Sequence, residues 1–210
     1  NKHLGDKNWS RSNGQAAAIV PLGAASGRIH HVEKEGAIQS AIRIGKKMFT
    51  RSHPDYPGMA VLNTLFGGYF GSRLMSNIRE DKGYTYGIGS AVVSMKDHGY
   101  FFISTEVGSD VKDAALTEIY KEMIDLRETA VEKEELETVR NYMLGSFIKS
   151  LETAFHLSDR FKSMHLSGLD YDYYERYLAK LRSIQPDEIQ ALAKKYFDPE
   201  SMTELVVGPK

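Results

Sequence analysis

Residues Leu65 to Ser90 read LFGGYFGSRLMSNIREDKGYTYGIGS, and three physical features of this stretch set the fold around it. The cluster Gly67-Gly68-Tyr69-Phe70-Gly71 interrupts a helical pattern, and Ser72 stands where it would cap a second helix running to about Lys82. Gly83 is placed to take the left-handed conformation that stops that helix. Tyr86 then begins a strand, flanked by Gly87 and Gly89, which leave room for another backbone to approach. Arg79 sits near the helix C-terminus, where a cation is favoured. Arg79 and Tyr86 therefore converge on one side of a helix-to-strand corner, offering a guanidinium fork and a phenol to peptide carbonyls or an oxyanion. The same pair also fits a purely structural role, with Arg79 satisfying helix-end carbonyls and Tyr86 a half-buried strand aromatic. Tyr84 is a second phenol on the same face of an extended segment.

Working outward, Arg28 to Glu33 and Ile38 to Gly45 read as strands across the turn Lys34-Glu35-Gly36. In the second, Ile38, Ser40, Ile42 and Ile44 share one face and Gln39 and Arg43 the other, the period of a half-buried strand. Pro54 and Pro57 suit a first helical turn, and Met59, Leu62, Leu65 and Phe66 follow at helical spacing. Thr85 to Met95 and Tyr100 to Val107 form a hairpin across Lys96-Asp97-His98-Gly99. A helix opening at Asp110 carries Ala115, Ile119, Met123 and Leu126 on one stripe. The next carries Leu136, Val139, Met143, Phe147 and Leu151, with Glu132, Glu134 and Glu135 in its first turn. Shorter helices span about Ala154 to Leu166, Tyr171 to Leu181 and Pro186 to Tyr196, before a last strand, Thr203 to Val207. This order implies an α+β fold, an antiparallel β-sheet with helices packed on one face. Residues 1–15, polar with a single Trp9, read as the end of a linker, and residues 16–210 as one domain. Asn1 in place of Met adds to the expectation of a longer parent chain.

Composition narrows the chemistry. A formal charge of -1 gives no reason to expect nucleic acid or an anionic membrane as partner. No apolar run approaches the roughly 20 residues that span a bilayer. The absence of cysteine excludes disulfides, thiolate metal sites and a cysteine nucleophile, but is compatible with cytoplasm and periplasm alike. A zinc peptidase needs two imidazoles on the metal and a general base, as HExxH or the inverted HxxEH. His30-His31-Val32-Glu33-Lys34 begins like HxxE, but Lys34 stands at the second ligand position. On a strand, moreover, ligands four apart lie about 13 Å from one another, too far for one ion. No metal site is expected in this chain. No GxSxG elbow, P-loop ending or GxGxxG occurs, and Glu122, Glu128, Glu132, Glu134, Glu135 and Glu137 read as a solvated helix face.

The 65–90 block resembles the second domain of bacterial zinc metallopeptidases of the M16 (pitrilysin/insulinase/mitochondrial processing peptidase) family. Further segments extend the resemblance over nearly the whole chain: Gly36 to Gly45, His53-Pro-Asp-Tyr with Val61 to Gly68, Pro186 to Phe197 and Val206-Val-Gly208. The resemblance implies a non-zinc half that closes like a clamshell with an HxxEH-bearing domain around a peptide substrate. That partner would lie upstream in the same chain or on a separate subunit, in a possible dimer, and zinc is expected on it rather than here. By resemblance, Tyr86 would hydrogen-bond the scissile carbonyl or its tetrahedral intermediate and Arg79 would position the substrate backbone. Gly67, Gly68 and Gly71 would lie where related subunits have a longer substrate-handling loop. This chain would thus belong to a hydrolase without being active alone. The alternative is a catalytically silent scaffold or assembly domain of the same fold.

Overall fold

The computed structural model describes residues 27–209; the linker and Trp9 lie outside them. Five strands, β1 (Ile29–Glu33), β2 (Gln39–Met48), β3 (Thr85–Ser94), β4 (Gly99–Gly108) and β5 (Thr203–Gly208), make one sheet in the order β1-β5-β2-β4-β3. Six helices accompany it: α1 (Tyr56–Asn63), α2 (Lys112–Glu128), α3 (Lys133–Lys149), α4 (Ala154–Leu166), α5 (Tyr173–Ser183) and α6 (Pro186–Tyr196). The fold is α+β, as the order of elements implies.

Three pairings are antiparallel, but β1 runs parallel to β5, with Ile29 opposite Glu204, so the sheet is mixed. Nearly the whole chain separates those two strands. No hairpin turn therefore imposes the antiparallel sense, and a long crossover permits the parallel one.

Alternation along β2 and β4 decides which sheet face meets the helices. Ser40, Ile42 and Ile44 on β2 and Phe101, Ile103, Thr105 and Val107 on β4 are buried. Gln39, Arg43, Tyr100 and Glu106 point to the open face. Phe66, Phe101 and Phe197 meet at the centre of the core, with ring centroids 4.8 to 6.3 Å apart. Each large apolar side chain removed from water there contributes about 1.5–3 kcal/mol.

Three expectations are corrected. Ile38 precedes the first paired residue of β2 and is exposed instead of sharing the buried face. Along α3 the stripe is fully buried only at Leu136 and Val139; Met143 and Phe147 are half-buried, and the exposed Leu151 lies beyond the helix, which ends at Lys149. Ser72 does not cap the following helix, since its buried hydroxyl has no hydrogen-bond partner. Among the described residues no helix is long and apolar enough to cross a membrane.

Candidate functional site

Helix α1 continues into a π-helical turn, Thr64–Gly68, and a second π-helical segment, Met75–Asp81, follows the glycine loop. Single π turns are rare and recur at functional sites, because the widened turn displaces side chains from regular helical positions. The second segment carries Arg79 in its last turn.

Two anchors hold that segment. Arg73 makes a two-pronged ion pair with Glu135 of α3, both bonds 2.8 Å. Asn77 donates to Glu118 and Glu122 of α2 at 2.9 and 2.7 Å, and Lys82 lies 3.6 Å from Glu118. The Asn77 bond holds the Glu118 carboxyl below its ordinary range, whereas burial pushes that of Glu122 up. The Glu135 bond raises the Arg73 guanidinium further still. Glu122 and Glu135 are thus structural partners of the Arg79 segment, not members of a solvated face. Helix periodicity could not show this, because the partners come from another element.

After the segment, Gly83 takes φ +66° and the Tyr84 amide donates to the Ile78 carbonyl at 3.0 Å. The chain thereby turns directly into β3, the last strand in the sheet order. Between Thr85 and Ile88 the register with β4 shifts, so Tyr86 and Gly87 form a bulge. Hydroxyls replace the lost ladder bonds: Thr85 Oγ1 meets the Gly87 amide and the Glu106 carbonyl, and Thr105 Oγ1 meets the Gly87 carbonyl. Such bulges re-aim side chains beside active sites. Here the bulge breaks the alternation that would have put Tyr84 and Tyr86 on one face. Tyr84 packs half-buried against the core, while Tyr86 is 95% exposed.

Arg79 and Tyr86 do come together, by a contact that spacing alone does not specify. Arg79 Nε donates to the backbone carbonyl of Tyr86 at 3.0 Å, which leaves the phenol free to meet another molecule. The Arg79 guanidinium also lies 4.8 Å over the Phe70 ring. Phe70, 63% exposed at the tip of the glycine loop, was not singled out from the sequence. The signal for it was an aromatic flanked by glycines, where no core position exists to bury it. Beneath Tyr86 a cavity of about 290 Å³ opens on the free sheet face, floored by Gln39, Ser104 and Glu106. None of the three was read as part of the site, although the sequence puts Gln39 on the face opposite Ser40 and Ile42, and the alternation of Ser104 and Glu106 along β4 places both outward.

The three glycines have different surroundings. Gly67 is buried against Ser90 of β3, Gly68 is exposed beside Asn63, and Gly71 is exposed beside the Tyr69 ring. Asn63 exchanges hydrogen bonds with Ser90, fixing the base of the loop to the strand. Among the described residues no three His, Asp or Glu side chains gather so as to hold a metal ion, and a zinc site does not fit them.

The model of the peptidase M16 inactive domain matches residues 1–143. The chain belongs to that family. A Bacillus subtilis protein named as an uncharacterized zinc protease is 26% identical over 174 residues, covering 82% of this chain and 42% of the relative. A Helicobacter pylori protein named as a non-peptidase homolog is 27% identical over 154 residues, covering 71% of this chain and 35% of the relative. The crystal structure of a peptidase M16 inactive domain from Pseudomonas fluorescens superposes with a TM-score of 0.80 at 23% identity, covering 91% of this chain and 48% of that one. The chain therefore spans less than half the length of these relatives.

Proposed function

We propose that this domain is the substrate-binding half of a two-part zinc endopeptidase, with Tyr86 and Arg79 completing the peptide site from the side opposite the metal. The observation that carries the reading is the bulge at Tyr86, whose backbone is held by Arg79 while its phenol stands free in solvent. A scaffold has no need of an exposed tyrosine fixed in this way. In the closed assembly the Tyr86 hydroxyl donates a hydrogen bond to the scissile carbonyl, a bond that strengthens as that oxygen gains charge in the tetrahedral intermediate. Arg79, with Nε engaged on the Tyr86 carbonyl and Nη1 3.7 Å from Glu80 Oε1, has Nη2 to offer a substrate carbonyl. Phe70 beneath the guanidinium limits its rotamers, and the exposed loop at Gly68 and Gly71 borders the bound peptide. Zinc and its water belong to the partner half, which bears HxxEH.

The silent scaffold is the second reading, favoured by the relative named as a non-peptidase homolog. Photo-crosslinking separates the two. With benzoylphenylalanine introduced at position 86 of the full-length protein, irradiation in the presence of a bound peptide should join that peptide to the loop. A probe at Phe155, exposed on α4, serves as the control. Equal capture at both positions, or none at position 86, contradicts the proposal and supports the scaffold.

A further inference from the structure

A second cavity, of about 310 Å³, lies away from Tyr86, between α1, α3, α4 and α5. This is large enough for a small ligand. Its walls are aromatic, formed largely by tyrosines, and two arginines line it, Arg51 and Arg160. Neither arginine is paired with a carboxylate among the described residues. Arg51 Nη1 donates to Ser163 Oγ at 2.6 Å, and its Nε is buried with no hydrogen-bond partner. Arg160 Nε donates to Ser150 Oγ at 2.7 Å, and its guanidinium lies 4.3 Å over Phe147 and 5.0 Å over Tyr174. Other part-buried arginines do reach a carboxylate, as Arg73 reaches Glu135 and Arg140 reaches Glu137.

Two cations facing one apolar cavity without a counterion create a positive potential that water screens poorly there. Among the described residues only neutral hydroxyls accept from the two guanidiniums, Ser163 from Arg51 and Ser150 from Arg160. Burial pushes the Tyr177 phenol up to about 12 and raises that of Tyr173 as well, so both remain protonated donors rather than competing anions. The chemistry complementary to this lining is an anionic head that accepts from guanidinium and phenol, attached to a flat apolar body that stacks on the rings.

We infer that the cavity between α3, α4 and α5 binds an apolar carboxylate, with Arg51 and Arg160 on the carboxylate and the tyrosine walls around its hydrophobic group. Free aromatic acids and the C-terminal residue of a peptide both present that chemistry. The lining residues described all belong to this chain and Tyr86 is not among them, so the inference is tested separately from the peptidase reading.

The test is calorimetric titration of the full chain with N-acetyl-phenylalanine and with its amide, which differ only in the charge of the head. The acid should bind at least about ten-fold more tightly, the scale of one charge-assisted hydrogen bond. Arg160→Gln should abolish that preference, and Arg160→Lys should retain part of it by keeping the charge without the fork. An octapeptide ending in free Phe, compared with its C-terminal amide, identifies the source. The same preference there assigns the site to peptide ends, and its absence assigns it to small acids. Should the variants fail to fold, ring resonances of Phe147 and Tyr174 in the native protein should shift on adding the acid and not the amide. The inference is overturned if the acid does not bind, if acid and amide bind alike, or if Arg160→Gln binds the acid as native does.

Discussion

Replacing Gly67 by alanine puts a methyl group where the structure leaves no room. The added carbon would lie 2.6 Å from Ser90 Oγ, 2.8 Å from the Ser90 amide nitrogen and 2.9 Å from Leu74 Cδ1. The Oγ could rotate aside, but the amide belongs to β3, where Ser90 pairs with Ile103 of β4. The loop must therefore lift from the strand, at an overpacking cost of about 1–3 kcal/mol. With about 2–4 °C of melting temperature per kcal/mol at this chain length, the expected loss is roughly 2–12 °C. Gly145→Ala is the internal control. It sits on the exposed side of α3 with nothing within 4 Å of the added carbon, and should gain about 0.5–1 kcal/mol from helix propensity. Thermal melts followed by circular dichroism decide the matter. A Gly67→Ala protein melting within about 1 °C of native would refute the close packing of the loop on β3, and with it the placement of Phe70 beside Arg79.

Other substitutions test other joints of the site. Thr105→Val removes a buried hydroxyl from the bulge and should cost about 1–3 kcal/mol. It should also speed hydrogen exchange at the Gly87 amide, which amide-exchange spectra would show. Glu135→Gln breaks the ion pair that seats the Arg79 segment on α3 and should cost about 1–3 kcal/mol in chemical denaturation. Asp55 accepts from Lys195 and Tyr196 at 2.7 and 2.6 Å, and these bonds hold its carboxyl below the usual range. A depressed folded value stabilises the protein above the unfolded one, about pH 3.9. The stability gap between native and Asp55→Asn should therefore be constant near neutrality and close as pH falls through the folded value. A gap that widens on acidification would contradict it.

How much of this was legible in the residues follows from where each signal lies. The period-two alternation of Ser40, Ile42 and Ile44 and the helical stripe of Met59, Leu62, Leu65 and Phe66 report burial directly, so the layers could be read without coordinates. Gly83 as the left-handed stop was equally legible, because few other residues take that conformation. The parallel pairing of β1 with β5 was not, since strand direction across a long connection leaves no local pattern. The bulge at Tyr86 also escaped: Thr85 and Thr105 support it from two strands 20 residues apart, and only their pairing reveals it. The proximity of Arg79 and Tyr86 was legible, whereas the atom contacted, a backbone carbonyl and not the phenol, was not. Glu122 and Glu135 were misread for the same reason, their partners Asn77 and Arg73 lying on another element.

The most direct test of the proposed Tyr86 role is the kcat of the full-length protein, paired with the HxxEH-bearing half that the proposal assigns it, on a quenched fluorescent peptide library, native against Tyr86→Phe. Loss of one hydroxyl from an exposed side chain should leave the melting temperature unchanged. It should lower kcat about ten- to a thousand-fold, the range for removing one oxyanion donor, with KM little altered. Equal kcat in the two proteins would contradict a role for Tyr86 in the transition state, and a native pair inactive on every peptide would point to the scaffold.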